Sequence, residues 1–137
     1  MSTGAGCLCG AVRVTIDAAP VTARTCWCRL CQYLGGGGGT TNVVFPAEGV
    51  TITGAVTWHE SVADSGNVMR RGFCPACGTP LFSKTEARPH LIVIRAGALD
   101  DPGFAAPEMT LWTSEAPGWA VIDPALPRHD QHVPPTR

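Results

Sequence analysis

The chain has 137 residues, enough for one domain with a sizeable core. Apolar residues make up 45% and charged residues 15%, which excludes a disordered chain and describes a globular one somewhat poor in charge. Ten basic side chains stand against 11 acidic ones, the formal net charge is -1, and no basic stripe offers itself to nucleic acid.

Met1 to Gly6 has neither a basic run nor an apolar core, so no signal peptide is expected there. Val12, Val14 and Ile16 then alternate with Arg13 and Thr15, the pattern of a half-buried strand. Short β-favouring runs follow at residues 43–45, 50–53 and 55–59, broken by Pro46, Gly49 and Gly54. Residues 67–73 read as a further strand leading into Cys74. Residues 91–94 form a continuous apolar run, which suits a strand covered on both faces. The longer run from Leu91 to Ala98 is interrupted by Arg95 and is too short to cross a bilayer, so no membrane partner is expected. Residues 109–113 suggest another short strand.

No window carries a 3.6-residue apolar period long enough for a major helix, and 16 glycines and 12 prolines punctuate the chain. The expected class is mainly β with little helix: a sandwich, an open barrel or a folded pair of sheets. One domain over residues 1–137 is expected, with a proline-rich tail at 124–137 that packs loosely or frays.

Seven cysteines fall in three clusters: Cys7 and Cys9; Cys26, Cys28 and Cys31; Cys74 and Cys77. A disulfide framework calls for an even count, wider spacings and a secreted context. Inert buried cysteines occur singly rather than in clusters. Spacings of one and two residues suit metal. Residues i and i+2 of a strand share a face, so a C-x-C pair can present two thiolates to one ion. A C-x-x-C pair does the same across a tight turn.

Cys7 and Cys9 with Cys74 and Cys77 make four ligands, which close a tetrahedral ion. Cys26, Cys28 and Cys31 make three, which leave one position open. Joining Cys74 and Cys77 to two members of the triad is the other division, and it strands an odd thiolate. All-sulfur ligation points to zinc, two ions per chain, with an iron–sulfur cluster as the alternative. Available thiolates suit a reducing cytosol. The rival to chemistry is a purely structural role for every ion, since closed zinc sites often only hold folds together.

At an open zinc, a bound thiol is deprotonated outright and a carbonyl oxygen is polarised. Both roles fit addition of a small thiol to an aldehyde, or the reverse cleavage of the carbon–sulfur bond. Thiolate-bound zinc carries excess negative charge. Arg29, Arg70 and Arg71, close to the cysteines in sequence, either offset it or are ordinary solvated arginines. Gly35 to Gly39, just after the triad, either cradle an anion with backbone N–H groups or form a flexible loop. His59, His90, His129 and His132 are scattered and make no rival site. The general acid or base is not identifiable from the residues.

The motifs Gly6-Cys7-Leu8-Cys9-Gly10-Ala11-Val12, Cys26-Trp27-Cys28-Arg29-Leu30-Cys31 and Phe73-Cys74-Pro75-Ala76-Cys77-Gly78-Thr79-Pro80-Leu81-Phe82 resemble the glutathione-dependent formaldehyde-activating enzyme family, which also includes centromere protein V. Gly97 to Pro102 and the segment from Leu111 to Trp119 extend the resemblance, which runs from about Gly6 to Pro127. It implies an Mss4-like fold of folded antiparallel sheets. It also implies a structural zinc on Cys7, Cys9, Cys74 and Cys77 and a catalytic zinc on Cys26, Cys28 and Cys31. The implied activity is that of a carbon–sulfur lyase acting on S-hydroxymethylglutathione, with glutathione and formaldehyde as partners. Two departures stand in the triad motif: Trp27 where the family commonly has His, and Gln32 where it commonly has Arg. Trp27 is either an apolar wall for a different adduct or a packed aromatic. A thiol-binding module without turnover and a centromere protein V-like interaction module are the non-enzymatic alternatives.

Overall fold

A computed structural model of the chain describes residues 3–63 and 66–131. Ten strands form two sheets. The smaller holds β1 (Thr3–Gly6), β2 (Arg13–Ile16) and β5 (Val50–Thr53) in the order β1-β2-β5. The larger has the order β10-β3-β4-β9-β8-β7-β6, from β3 (Thr22–Cys26), β4 (Thr40–Pro46), β6 (Thr57–Val62), β7 (Val68–Phe73), β8 (Pro80–Thr85), β9 (Leu91–Arg95) and β10 (Thr110–Leu111). The mainly β class expected from the sequence is the class found. Every pairing between these strands is antiparallel except β10 with β3, which is parallel. The α-helix among the described residues is α1 (Arg29–Leu34), one and a half turns long. No described helix is long and apolar enough to cross a membrane.

Alternation explains the core. In β2, Val14 and Ile16 are buried while Arg13 and Thr15 are exposed. These residues, with Ala5 and Val12, pack against Ala23, Val43, Phe45, Phe82, Ile92 and Ile94 of the large sheet. The small sheet thus covers one face of the large one. β9 lies between β4 and β8 and is buried along most of both faces, as its unbroken apolar run predicts. Gly72 of β7 leaves room for Trp58 and Phe82 from the flanking strands to stack across it, with centroids 5.8 Å apart.

Three strands were not legible in the sequence. β1 reads Thr-Gly-Ala-Gly, β3 reads Thr-Ala-Arg-Thr-Cys, and β8 starts at Pro80. Each carries too few apolar residues in alternation to announce a strand. Ala23 is the residue of β3 that joins the main core. Part of the tail is also better held than its composition suggests. Residues 127–131 run beside β10, with Thr110 N–H donating to Pro127 O at 2.9 Å and His129 N–H to Thr110 O at 2.9 Å. Residues 132–137, including His132, lie outside the described part.

Candidate metal centres

The cysteines gather into two groups. The sulfurs of Cys7, Cys9, Cys74 and Cys77 all lie within 4.8 Å of one another, and so do those of Cys26, Cys28 and Cys31. This is the division expected from ligand counting. All seven thiols are free. Cys7 and Cys9 sulfurs are 3.6 Å apart, and Cys9 and Cys74 sulfurs 3.8 Å. Tetrahedral zinc with its usual bond to sulfur spaces the ligands about 3.8 Å apart, whereas a disulfide brings them to about 2.05 Å. The donor set of the first group fits zinc.

The sulfurs of that group converge for a reason other than the one alternation suggests. Cys7 to Gly10 form a turn between β1 and β2, not a strand. Gly10 N–H donates to Cys7 O at 3.2 Å, and Gly10 takes a left-handed φ of 83°. The second turn repeats this build. Gly78 N–H donates to Cys74 O at 2.8 Å, with a φ of 77°. A glycine directly after each second cysteine supplies the conformation that lets the turn close. Backbone N–H groups then point at sulfur: Val12 to Cys7 at 3.2 Å and Ala76 to Cys74 at 3.4 Å. Thr79 links the turns. It accepts from Leu8 N–H at 3.1 Å, and its hydroxyl lies 3.1 Å from Cys77 sulfur.

These donors set the thiol acidities. The Thr79 hydroxyl, with backbone N–H groups, pulls Cys77 down to about 5. The Val12 N–H draws Cys7 below its ordinary value. Cys9 has a backbone donor at Ala11, yet its sulfur neighbours Cys7 and Cys77 push it up to about 11. The group shares its protons rather than titrating singly.

The second group sits on the other face of the large sheet. Cys26 is the last residue of β3, Cys28 caps the N-terminus of α1, and Cys31 lies in its first turn. Cys28 sulfur accepts the Cys31 N–H at 3.4 Å. Cys26 and Cys31 are buried with Leu111, and Met109 and Trp112 pack around them. Among the described residues no fourth His, Cys, Asp or Glu joins the three sulfurs. His59 and His90 are exposed, His129 lies beside β10, and none of the three joins either group. Cys26 and Cys28 both donate toward Cys31, whose thiol is drawn far down, with help from Thr40 and the Arg95 cation. Cys26 is pushed up by the same two neighbours. A soft divalent ion fits this donor set and would take all three as thiolates.

Trp112 at the rim has φ 57°, a left-handed conformation that costs a bulky residue about 1–3 kcal/mol. The two departures in the triad motif have structural work. Gln32 is buried; its amide donates to Trp27 O at 2.8 Å and Glu115 O at 2.9 Å, while its oxygen accepts from Arg29 at 2.6 Å. Trp27 is buried edge-on against Trp119, with centroids 6.4 Å apart. The glycine run is a shaped loop. Gly36 and Gly37 take positive φ, and a side chain at Gly39 would meet Cys26 O at 2.8 Å.

The side chains of Arg29, Arg70 and Arg71 are engaged away from the sulfurs. Arg70 pairs with Glu60 and Glu86, Arg71 donates to Ser61, and Arg29 lies over the Tyr33 ring. Arg95, from β9, faces the triad, and Arg24 of β3 lies close to Cys26. The signal of Arg95 was available, because it breaks an otherwise apolar run.

The sequence profile of the glutathione-dependent formaldehyde-activating enzyme family matches residues 2–115. The chain belongs to this family. A crystal structure of a Rhodobacter sphaeroides protein has a similar fold, with 20% identity, a TM-score of 0.58, and coverage of 71% of this chain and 87% of that one. The family match spans both cysteine groups. In this chain the fold brings together turns that lie 65 residues apart, between Cys9 and Cys74.

Proposed function

We propose that this member of the glutathione-dependent formaldehyde-activating enzyme family is a zinc-dependent carbon–sulfur lyase. It forms or cleaves S-hydroxymethylglutathione or a related thiol–aldehyde adduct. Cys7, Cys9, Cys74 and Cys77 hold a structural zinc, and Cys26, Cys28 and Cys31 hold the catalytic one. The observation that carries this reading is the second group: three convergent sulfurs, no fourth protein donor among the described residues, and an apolar rim.

Zinc there would supply a position that keeps a thiol ionised at neutral pH. Cys26, Cys28 and Cys31 fix that position from two elements at once. Met109, Leu111 and Trp112 keep water from one side of it. In the forward direction the thiolate sulfur attacks the aldehyde carbon. The carbon–sulfur bond forms, the carbonyl pair becomes an alkoxide, and the alkoxide takes a proton from solvent. In reverse the hydroxyl loses that proton, the carbonyl re-forms and the thiolate leaves. Gln32 and Trp27 brace the triad rather than supply an unpaired group, Gln32 through the Trp27 and Glu115 carbonyls and Trp27 against the Trp119 ring.

Exchange between free formaldehyde, glutathione and their adduct, followed by NMR, tests the proposal. Acceleration by the zinc-loaded protein, lost in Cys28→Ser, is expected. An exchange rate equal to that in buffer rejects formaldehyde activation. A second reading, a module that binds thiols without turnover, draws on the committed state of Gln32 and Trp27. It predicts calorimetric binding of glutathione that depends on Cys28, with no acceleration.

A further inference from the structure

A line of buried polar groups leads from the strand interior to the second cysteine group. Cys26 of β3 pairs with Thr40 of β4, and Asn42 of β4 pairs with Arg95 of β9. Thr40 and Asn42 are two residues apart. Alternation therefore places Cys26, Thr40, Asn42 and Arg95 on one face of the sheet, opposite the apolar core. Their hydrogen bonds run along the same line. Arg95 Nη1 donates to Asn42 Oδ1, and Asn42 Nδ2 donates to Thr40 Oγ1 at 3.1 Å. Thr40 also acts on Cys31, helping to draw its thiol down. Thr40 and Asn42 are each 8% exposed and Arg95 9%.

A buried guanidinium is expensive without an opposing charge. Among the described residues no carboxylate pairs with Arg95, and its Nε has no hydrogen-bond partner. The opposing charge it faces is that of Cys31, Cys26 and Cys28. Metal loading converts three neutral thiols into an anionic centre and releases their protons, and a fourth, incoming thiolate adds another negative charge. Arg95 is placed to offset this.

We propose that Arg95, acting through Asn42 and Thr40, is a positioning residue that balances the negative charge of the thiolate–metal centre formed by Cys26, Cys28 and Cys31 and so lets its open position accept a thiolate. This rests on the reading of that group as a metal centre, and its test separates the two. The zinc-loaded full chain is titrated with a colorimetric zinc chelator, and the cobalt(II)-substituted chain is examined by absorption spectroscopy. Arg95→Gln should release zinc from the triad about 10- to 100-fold more readily, the range for loss of an outer-sphere partner. Arg95→Lys should recover most of the loss. Thr40→Val, which keeps shape and charge, should weaken the same ion about 10-fold and shift the thiolate-to-cobalt absorption band. The zinc at Cys7, Cys9, Cys74 and Cys77 should be unchanged throughout. Triad zinc held as tightly in Arg95→Gln and Thr40→Val as in the unaltered chain overturns the inference. If Arg95→Gln does not fold, an unmoved band in Thr40→Val overturns it alone. Two zincs per chain with no lyase activity sinks the proposed reaction and leaves the chelator result to decide on Arg95. One zinc per chain, unaffected by replacing the triad, overturns both.

Discussion

Gln32 and Gly39 show how single residues shape the open centre without touching an ion. Gln32 ties the carbonyls of Trp27 and Glu115 together under the triad. Gln32→Leu keeps the bulk and strands those buried carbonyls, so a loss of about 1–3 kcal/mol is expected in urea unfolding. Gly39 lies so close to Cys26 O and the Trp27 ring that an added methyl must push one of them aside. Gly39→Ala should cost about 1–3 kcal/mol and loosen the triad ion, read as faster zinc loss to a chelator. Residue chemistry also predicts a pH dependence. Cys77 is pulled from its ordinary 9.0 to about 5, mainly by Thr79. Between those values the unfolded chain binds more protons at Cys77 than the folded one, so stability rises with pH. This contribution is complete above about 9 and lost as pH falls through about 5. Thermal midpoints of the metal-free chain should fall as pH is lowered across that window, and Thr79→Val should flatten the slope.

The two cysteine turns are the elements that matter most for the first centre. Each is a short loop closed by a glycine with positive φ, and each aims backbone N–H groups at sulfur. Their glycines, Gly10 and Gly78, were visible as C-x-C-G and C-x-x-C-G in the sequence. The expectation of a C-x-C strand failed because the residues between β1 and β2 must reverse the chain, and alternation does not survive a turn. The strands divide in the same way. β2, β4, β7 and β9 announce themselves by apolar alternation or apolar runs. β1 and β3 do not, because one face of each meets small residues or polar groups. Thr79 is the hydrogen-bond link between the turns, so Thr79→Val should also make zinc loss from the first centre faster while leaving the triad ion alone.

At the scale of the molecule, the two centres lie on opposite faces of the seven-stranded sheet and carry different structural weight. Cys7 and Cys74 belong to the main core, where Cys74 is fully buried. The triad belongs to a small separate cluster with Leu111. A metal bound at the first centre would therefore add its binding energy to the folding of the whole chain. Cys74→Ser should unfold the protein or lower its thermal midpoint far more than Cys28→Ser, which should remove one zinc and leave the circular dichroism spectrum intact. Calorimetry and metal content of the two variants check this. Equal destabilisation would mean that the triad, too, holds the core.

The grouping of the seven cysteines, the mainly β class and the family were all contained in the chain itself, because ligand spacing, strand period and turn glycines are local properties. The approach of Arg95 to the triad was not. Arg29, Arg70 and Arg71 are neighbours in sequence, but Arg95 arrives from a strand that reaches Cys26 only through β4, by pairing register. The committed roles of Trp27 and Gln32 were hidden for the same reason, since their partners Trp119 and Glu115 lie more than 80 residues away in the chain. Contacts of that range depend on how the sheets close on one another, and closure is a property of all the strands together.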